Sequence, residues 1–168
     1  LKLVNDFFSL NLSPDKLASF AAKLGADCPI FVYDKPMFAF GTGTDLQPID
    51  INLSGLTLLI SKPNGVNIST KQAYANVHPS VPKQSLRELI QLPITQWQGL
   101  IKNDFEPSIF PIAPQIEAVK DIMLECGALY ASMSGSGASV YGFFRDTDRA
   151  HEMCDSTLAG NSNFVHDF

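Results

Sequence analysis

An α+β fold, an antiparallel sheet with helices on one face, is predicted for the larger part of this chain by three observations. From Leu56 onward the segments read strand, helices, strand, strand, helix, strand, which is the split β-α-β order of a ferredoxin-like sandwich. Between Pro114 and Cys126 the apolar residues Ile116, Val119, Met123 and Cys126 keep a 3.6-residue period, the stripe of a helix lying on a sheet. Soon after it, the small-residue loop Ser134-Gly135-Ser136-Gly137 stands between two apolar, strand-like runs, as in a hairpin. The chain divides near Ser54 or Gly55: residues 1–54 read as the tail of one unit and residues 55–168 as a complete small domain.

The opening residues Leu1, Val4, Phe7 and Phe8 recur at helical spacing with no methionine in front, so the sequence reads as a piece of a longer protein, entered within a helix. Ser13-Pro14-Asp15 then starts a second helix, with serine as N-cap, proline at the first position and an acid in the first turn. Leu17, Phe20, Ala21 and Leu24 form its stripe, and Gly25 is expected to close it. The run Ile30-Phe31-Val32-Tyr33 reads as a buried strand, which leaves Asp27 held between a helix end and that strand. Residues 36–40 and 45–52 read as two extended segments around the turn Gly41-Thr42-Gly43.

Leu56 to Ile60 is a strand, stopped by Lys62-Pro63-Asn64-Gly65. The pairs Ser69/Gln72, Ser85/Glu88 and Thr95/Gln98 each carry the capping-box spacing and predict three short helices, the first holding Tyr74 and the last Trp97, Leu100 and Ile101. His78-Pro79 and Val81-Pro82 break the first of these, and Asn103 to Pro107 is a polar junction. Gly127 stops the long helix; strands from Leu129 to Met133 and Ala138 to Phe144 flank the loop. Thr147 or Asp148 is expected to cap a last helix bearing Ala150, Met153, Cys154 and Leu158, before a final strand from Asn163 to Phe168.

With 168 residues and 45% hydrophobic content the chain can bury one sizeable core. Its net charge of -5 and its lack of any basic run argue against nucleic acid as a partner. The absence of an 18-residue apolar run and of a charged n-region followed by an h-region argues against a membrane span or a secretory signal. Cys28, Cys126 and Cys154 are odd in number and widely spaced, the pattern of buried free thiols in a reducing cytoplasm.

Four consecutive residues without bulk let backbone N–H groups approach something anionic or planar, which makes the loop from Ser134 to Gly137 the first candidate site. A serine nucleophile does not suit it, because a nucleophile elbow needs a helix after the serine and here a strand follows. His78, His151 and His166 have neither the placement of a base nor the spacing of metal ligands. Asp27, a lone acid at a corner, is a candidate base if partly buried, or an ordinary Asx-turn. Tyr74 on its short helix reads as a half-buried aromatic or as a stacking plate for a ring.

Three stretches together resemble the GHMP kinase superfamily over most of the chain and in the family's order: Leu24-Gly25-Ala26-Asp27-Cys28-Pro29-Ile30-Phe31, Asn103-Asp104-Phe105-Glu106, and the run from Ala128 through Ser134-Gly135-Ser136-Gly137 to Gly142. Within it they are similar to the branch that phosphorylates the 2-hydroxyl of a cytidyl-diphosphate derivative of methylerythritol in non-mevalonate isoprenoid synthesis. The resemblance implies a GHMP kinase C-terminal domain over residues 55–168 and a remnant of the ATP-binding domain over residues 1–54. It makes Asp27 the general base, places Ser134, Gly135, Ser136 and Gly137 beside the phosphates, and puts Tyr74 and Thr70 near the cytosine and a substrate hydroxyl. Cys28 stands where the family more often has a small aliphatic residue. ATP and Mg²⁺ are the implied cofactors, and no residue of this stretch is expected to ligate the metal. The glycine-rich ATP loop and a catalytic lysine would lie upstream, in a missing N-terminal domain, so the stretch alone is expected to be inactive. Apolar surface left on residues 1–54 can support self-association into a homo-oligomer. Two rivals stand beside this reading, a GHMP kinase of the homoserine or mevalonate type and a non-catalytic ferredoxin-like ligand-binding domain.

Overall fold

The computed structural model describes residues 1–77 and 81–168, which form two units, Leu1–Asn52 and Leu53–Phe168. His78 and Pro79, expected to break a helix, lie outside the described residues.

In the first unit, α1 (Lys2–Phe7) buries none of its residues, and Leu3 and Phe7 are 79% and 78% exposed. Helix α2 (Pro14–Ala21) begins at Ser13, whose hydroxyl accepts the Lys16 N–H at 3.3 Å. It ends at Ala21, earlier than the apolar stripe suggested. Leu24 is exposed, and Gly25 lies beyond the helix, its N–H donating to the Ala21 carbonyl. The expected strand at Ile30–Tyr33 is instead a single helical turn, α3. Pro29 already sits at helical φ −60°, ψ −33°, Asp34 closes the turn at φ 54°, and four apolar residues carry no period to separate strand from helix. Leu17, Ala18, Ala21 and Val32 form a small core with Leu12, Cys28 and Tyr33 against it. Strands β1 (Met37–Phe40) and β2 (Asp45–Pro48) make a hairpin with Phe40 opposite Asp45.

The second unit is a four-stranded sheet of β3 (Thr57–Lys62), β4 (Tyr130–Met133), β5 (Val140–Phe144) and β6 (Ser162–Asp167) in the order β4-β5-β3-β6, every neighbouring pair antiparallel. This is the order of the split β-α-β sandwich, with the first strand inside and the second at an edge. Alternation along β3 sends Thr57, Leu59 and Ser61 to the buried face, where α7 (Pro114–Glu125) and α8 (Thr147–Asp155) pack. The core joins Leu59, Ile116, Val119, Met123, Val140, Phe144, Ala150 and Met153. Helix α8 is capped by Asp146, whose carboxylate accepts the Arg149 N–H at 3.1 Å, rather than by Thr147 or Asp148. Thr147 is already helical and its hydroxyl bonds Thr57 Oγ1 at 2.7 Å.

Between β3 and α7 run the short helices α4 (Thr70–Ala75), α5 (Leu86–Leu89) and α6 (Glu106–Ile109). The capping box of Ser69 and Gln72 is complete, and Ser85 caps α5. Thr95 caps nothing: a 3₁₀ turn covers Ile94–Gln96 behind Pro93, and Trp97 is buried with Nε1 donating to the Leu92 carbonyl at 2.8 Å. Gln98 fails to close the expected capping box because its carbonyl oxygen accepts the Ala131 N–H on β4 instead, at 3.0 Å.

Candidate functional site

The loop from Ser134 to Ser139 joins β4 to β5 as a hairpin and keeps two backbone bonds of its own, Ser134 N–H to the Ser139 carbonyl and Gly137 N–H to the Ser134 carbonyl. Gly135 and Gly137 lie at φ 53° and 92°. At Gly137 a Cβ would stand 3.1 Å from the Met133 sulfur and 3.7 Å from both Ile116 and Ile68, so glycine is required there by conformation and by space. Among the described residues the N–H groups of Gly135 and Ser136 have no protein acceptor, which leaves them available to an anionic oxygen.

The loop is held from outside. Since β4 is an edge strand, its outward backbone groups need partners, and side chains from residues 98–106 supply them. Glu106, only 9% exposed, accepts the Met133 N–H at 2.8 Å and the Ser132 hydroxyl at 3.1 Å, while its other oxygen pairs with Lys120 at 2.5 Å. The Asn103 amide donates to the carbonyls of Met133 at 2.7 Å and Gly135 at 2.8 Å, and its own carbonyl accepts the Phe105 N–H. Reading Asn103 to Pro107 as a polar junction missed this role. The available signal was Ser132, a hydroxyl in a strand otherwise made for burial, which demands a buried partner.

Thr70 and Tyr74 lie in α4, and both are exposed. Tyr74 is 65% exposed rather than half-buried, and its ring meets that of Phe105 in a T-shaped contact, centroids 4.9 Å apart and planes at 77°. Thr70, at the first helical position, has an open hydroxyl. On the outer face of the sheet, burial raises the pKa of Tyr130 and Tyr141, keeping both phenols protonated.

Asp27 belongs to the first unit and sits in a turn before α3. It is exposed, contrary to the partial burial expected of it, and its carboxylate has no partner among the described residues. The three cysteines are free thiols and half-buried rather than buried, and burial pushes the Cys154 thiol pKa up. His151 and His166 are exposed, and among the described residues no group of three or more His, Cys, Asp or Glu is placed to hold a metal ion. No helix of the described residues is long and apolar enough to cross a membrane.

Residues 83–156 match the family described as GHMP kinases C terminal. The chain is 50% identical over 144 residues to the 4-diphosphocytidyl-2-C-methyl-D-erythritol kinase of Parabacteroides distasonis, covering 86% of this chain and 53% of the relative. It is 40% identical over 170 residues to the protein of the same name from Azobacteroides pseudotrichonymphae, covering 100% of this chain and 60% of that one. The chain thus spans little more than half the length of the curated relatives it matches. A crystal structure of 4-(cytidine 5'-diphospho)-2C-methyl-D-erythritol kinase superposes with a TM-score of 0.81 at 22% identity, over 98% of this chain and 60% of that one, which is a likeness of fold.

Proposed function

We propose, from the match of residues 83–156 to the family described as GHMP kinases C terminal, that the chain is part of an ATP-dependent kinase that phosphorylates the 2-hydroxyl of 4-diphosphocytidyl-2-C-methyl-D-erythritol. The observation that carries this reading is the 50% identity over 144 residues to a relative named for that substrate. In this reading residues 1–54 end an ATP-binding N-terminal domain, residues 55–168 are the C-terminal domain, and the free thiols suit a cytoplasmic enzyme.

Phosphoryl transfer asks a protein mainly to position groups and stabilise developing charge. Asp27 accepts the proton of the attacking hydroxyl as its oxygen bonds to the terminal phosphorus and the bond to the ADP oxygen breaks. The free N–H groups of Gly135 and Ser136 support anionic oxygens, and the open face of Tyr74 takes the cytosine, with Thr70 offering a hydroxyl to the substrate. Mg²⁺ is the cofactor expected with ATP; the described residues do not fit it, since no carboxylate cluster among them is placed for it.

The test is turnover by the full-length protein with ATP and each of three alcohols: the cytidyl substrate, homoserine and mevalonate. Preference for homoserine or mevalonate overturns the substrate. Asp27→Asn is expected to lower kcat by at least about a hundredfold; a loss smaller than about tenfold overturns the general-base role and favours a non-catalytic ligand-binding domain.

A further inference from the structure

Four consecutive residues, Asn103-Asp104-Phe105-Glu106, reach both the small-residue loop and the exposed ring of α4. The peptide groups on either side of Met133, the last residue of β4, are fixed by this segment: Glu106 takes its N–H and Asn103 its carbonyl. Two residues beyond Met133, in the hairpin's tip, the Asn103 amide also donates to the Gly135 carbonyl. A loop with two glycines at positive φ and two internal bonds loses much conformational entropy when ordered, so these outside bonds determine where it rests. Between the two polar anchors stands Phe105, whose ring meets the Tyr74 ring in an edge contact that fixes one side and leaves the other open.

We infer that residues 103–106 are a positioning brace for the reaction proposed above, with Asn103 and Glu106 setting the loop and Phe105 setting Tyr74, so that the phosphate side and the base side of the substrate are gauged from one segment. Each acts through the group it holds. The inference rests on the kinase reading of the loop and of Tyr74, and the test separates the two.

In the full-length protein, Asn103→Ala is expected to speed hydrogen exchange across residues 133–139 and lower kcat, each about tenfold. Asn103→Asp, of the same size but without the two N–H donors, does the same should the alanine variant fail to fold. Glu106→Gln loses the charge that pairs with Lys120 and so lowers stability, but it retains an oxygen acceptor for Met133 and Ser132 and is expected to keep kcat of the folded protein within about threefold, whereas Glu106→Ala matches Asn103→Ala. Phe105→Leu is expected to raise KM for the cytidyl substrate about fivefold with KM for ATP unchanged, and to add nothing in a Tyr74→Ala background. Unchanged exchange at residues 133–139 in the Asn103 variants overturns the brace, as does a Phe105→Leu effect that persists without Tyr74. Faster exchange with kcat unchanged supports the brace and overturns the loop's role in turnover, and Tyr74→Ala without effect on KM overturns Tyr74 as the base plate.

Discussion

Glu106 accepts the backbone N–H of Met133 at 2.8 Å while pairing with Lys120 at 2.5 Å, so one nearly buried carboxylate joins α6, α7 and the edge of β4. Removing either partner of such a pair leaves a charge without compensation in a desolvated place. Lys120→Ala is therefore expected to cost about 3 kcal/mol of stability, read from urea unfolding. A double replacement by apolar residues of similar volume should cost less than that single one, provided Met133 keeps a partner.

Gly137 and Gly135 differ in what a methyl group would meet. At Gly137 the Met133 sulfur stands 3.1 Å from the new Cβ, whereas at Gly135 nothing lies within 4 Å. Both carry positive φ, which costs an alanine about 1 kcal/mol. Gly135→Ala should show that cost alone; Gly137→Ala should exceed it by about 1 kcal/mol more and lower Tm accordingly.

Leu59 is wholly buried at the centre of the sheet, opposite Gly142 on β5 and Val165 on β6. Leu59→Ala is expected to cost about 3 kcal/mol in denaturant unfolding, since transfer and cavity effects add there. By contrast Phe7→Ala, on an α1 that buries nothing, should change stability by less than about 0.5 kcal/mol.

Burial raises the folded-state pKa of Tyr130 and of Tyr141 above the ordinary value of 10.0. Their neutral forms are favoured in the fold, so their contribution to stability is complete below pH 10 and is lost as pH rises from there through the folded pKa. Stability should fall with pH in that window by up to about 1.4 kcal/mol per unit for each residue. Tyr141→Phe is expected to flatten the slope by one such increment, measured by urea unfolding at stepped alkaline pH.

How far the sequence carried the structure follows from which interactions are local. The capping box at Ser69 and Gln72, the Ser13 cap and the stripe of α7 depend on residues within a few positions, and all three form. The order of strands and helices implied the sheet, because a split β-α-β pattern has few packed solutions. Ile30–Tyr33 was misread because a run of four apolar residues is silent about its period, and Gln98 because its partner is 33 positions away on β4. The same distance hid the contacts of Asn103 and Glu106: the family resemblance marked their stretch but not its partner, a loop some thirty residues on, to which the unexplained hydroxyl of Ser132 pointed. Asp27 was singled out by its motif, while its exposure depends on neighbours in space, which a motif does not specify.

Gln98, Asn103 and Glu106 together occupy the outer edge of β4, standing in for the backbone of a fifth strand. A sheet finished in this way cannot be extended by another chain on the side of the hairpin tip, since the hydrogen-bonding groups that would receive it are already taken. The loop is thereby shielded from strand exchange between molecules, and its glycines can face a small ligand at high protein concentration without that edge becoming a template for assembly.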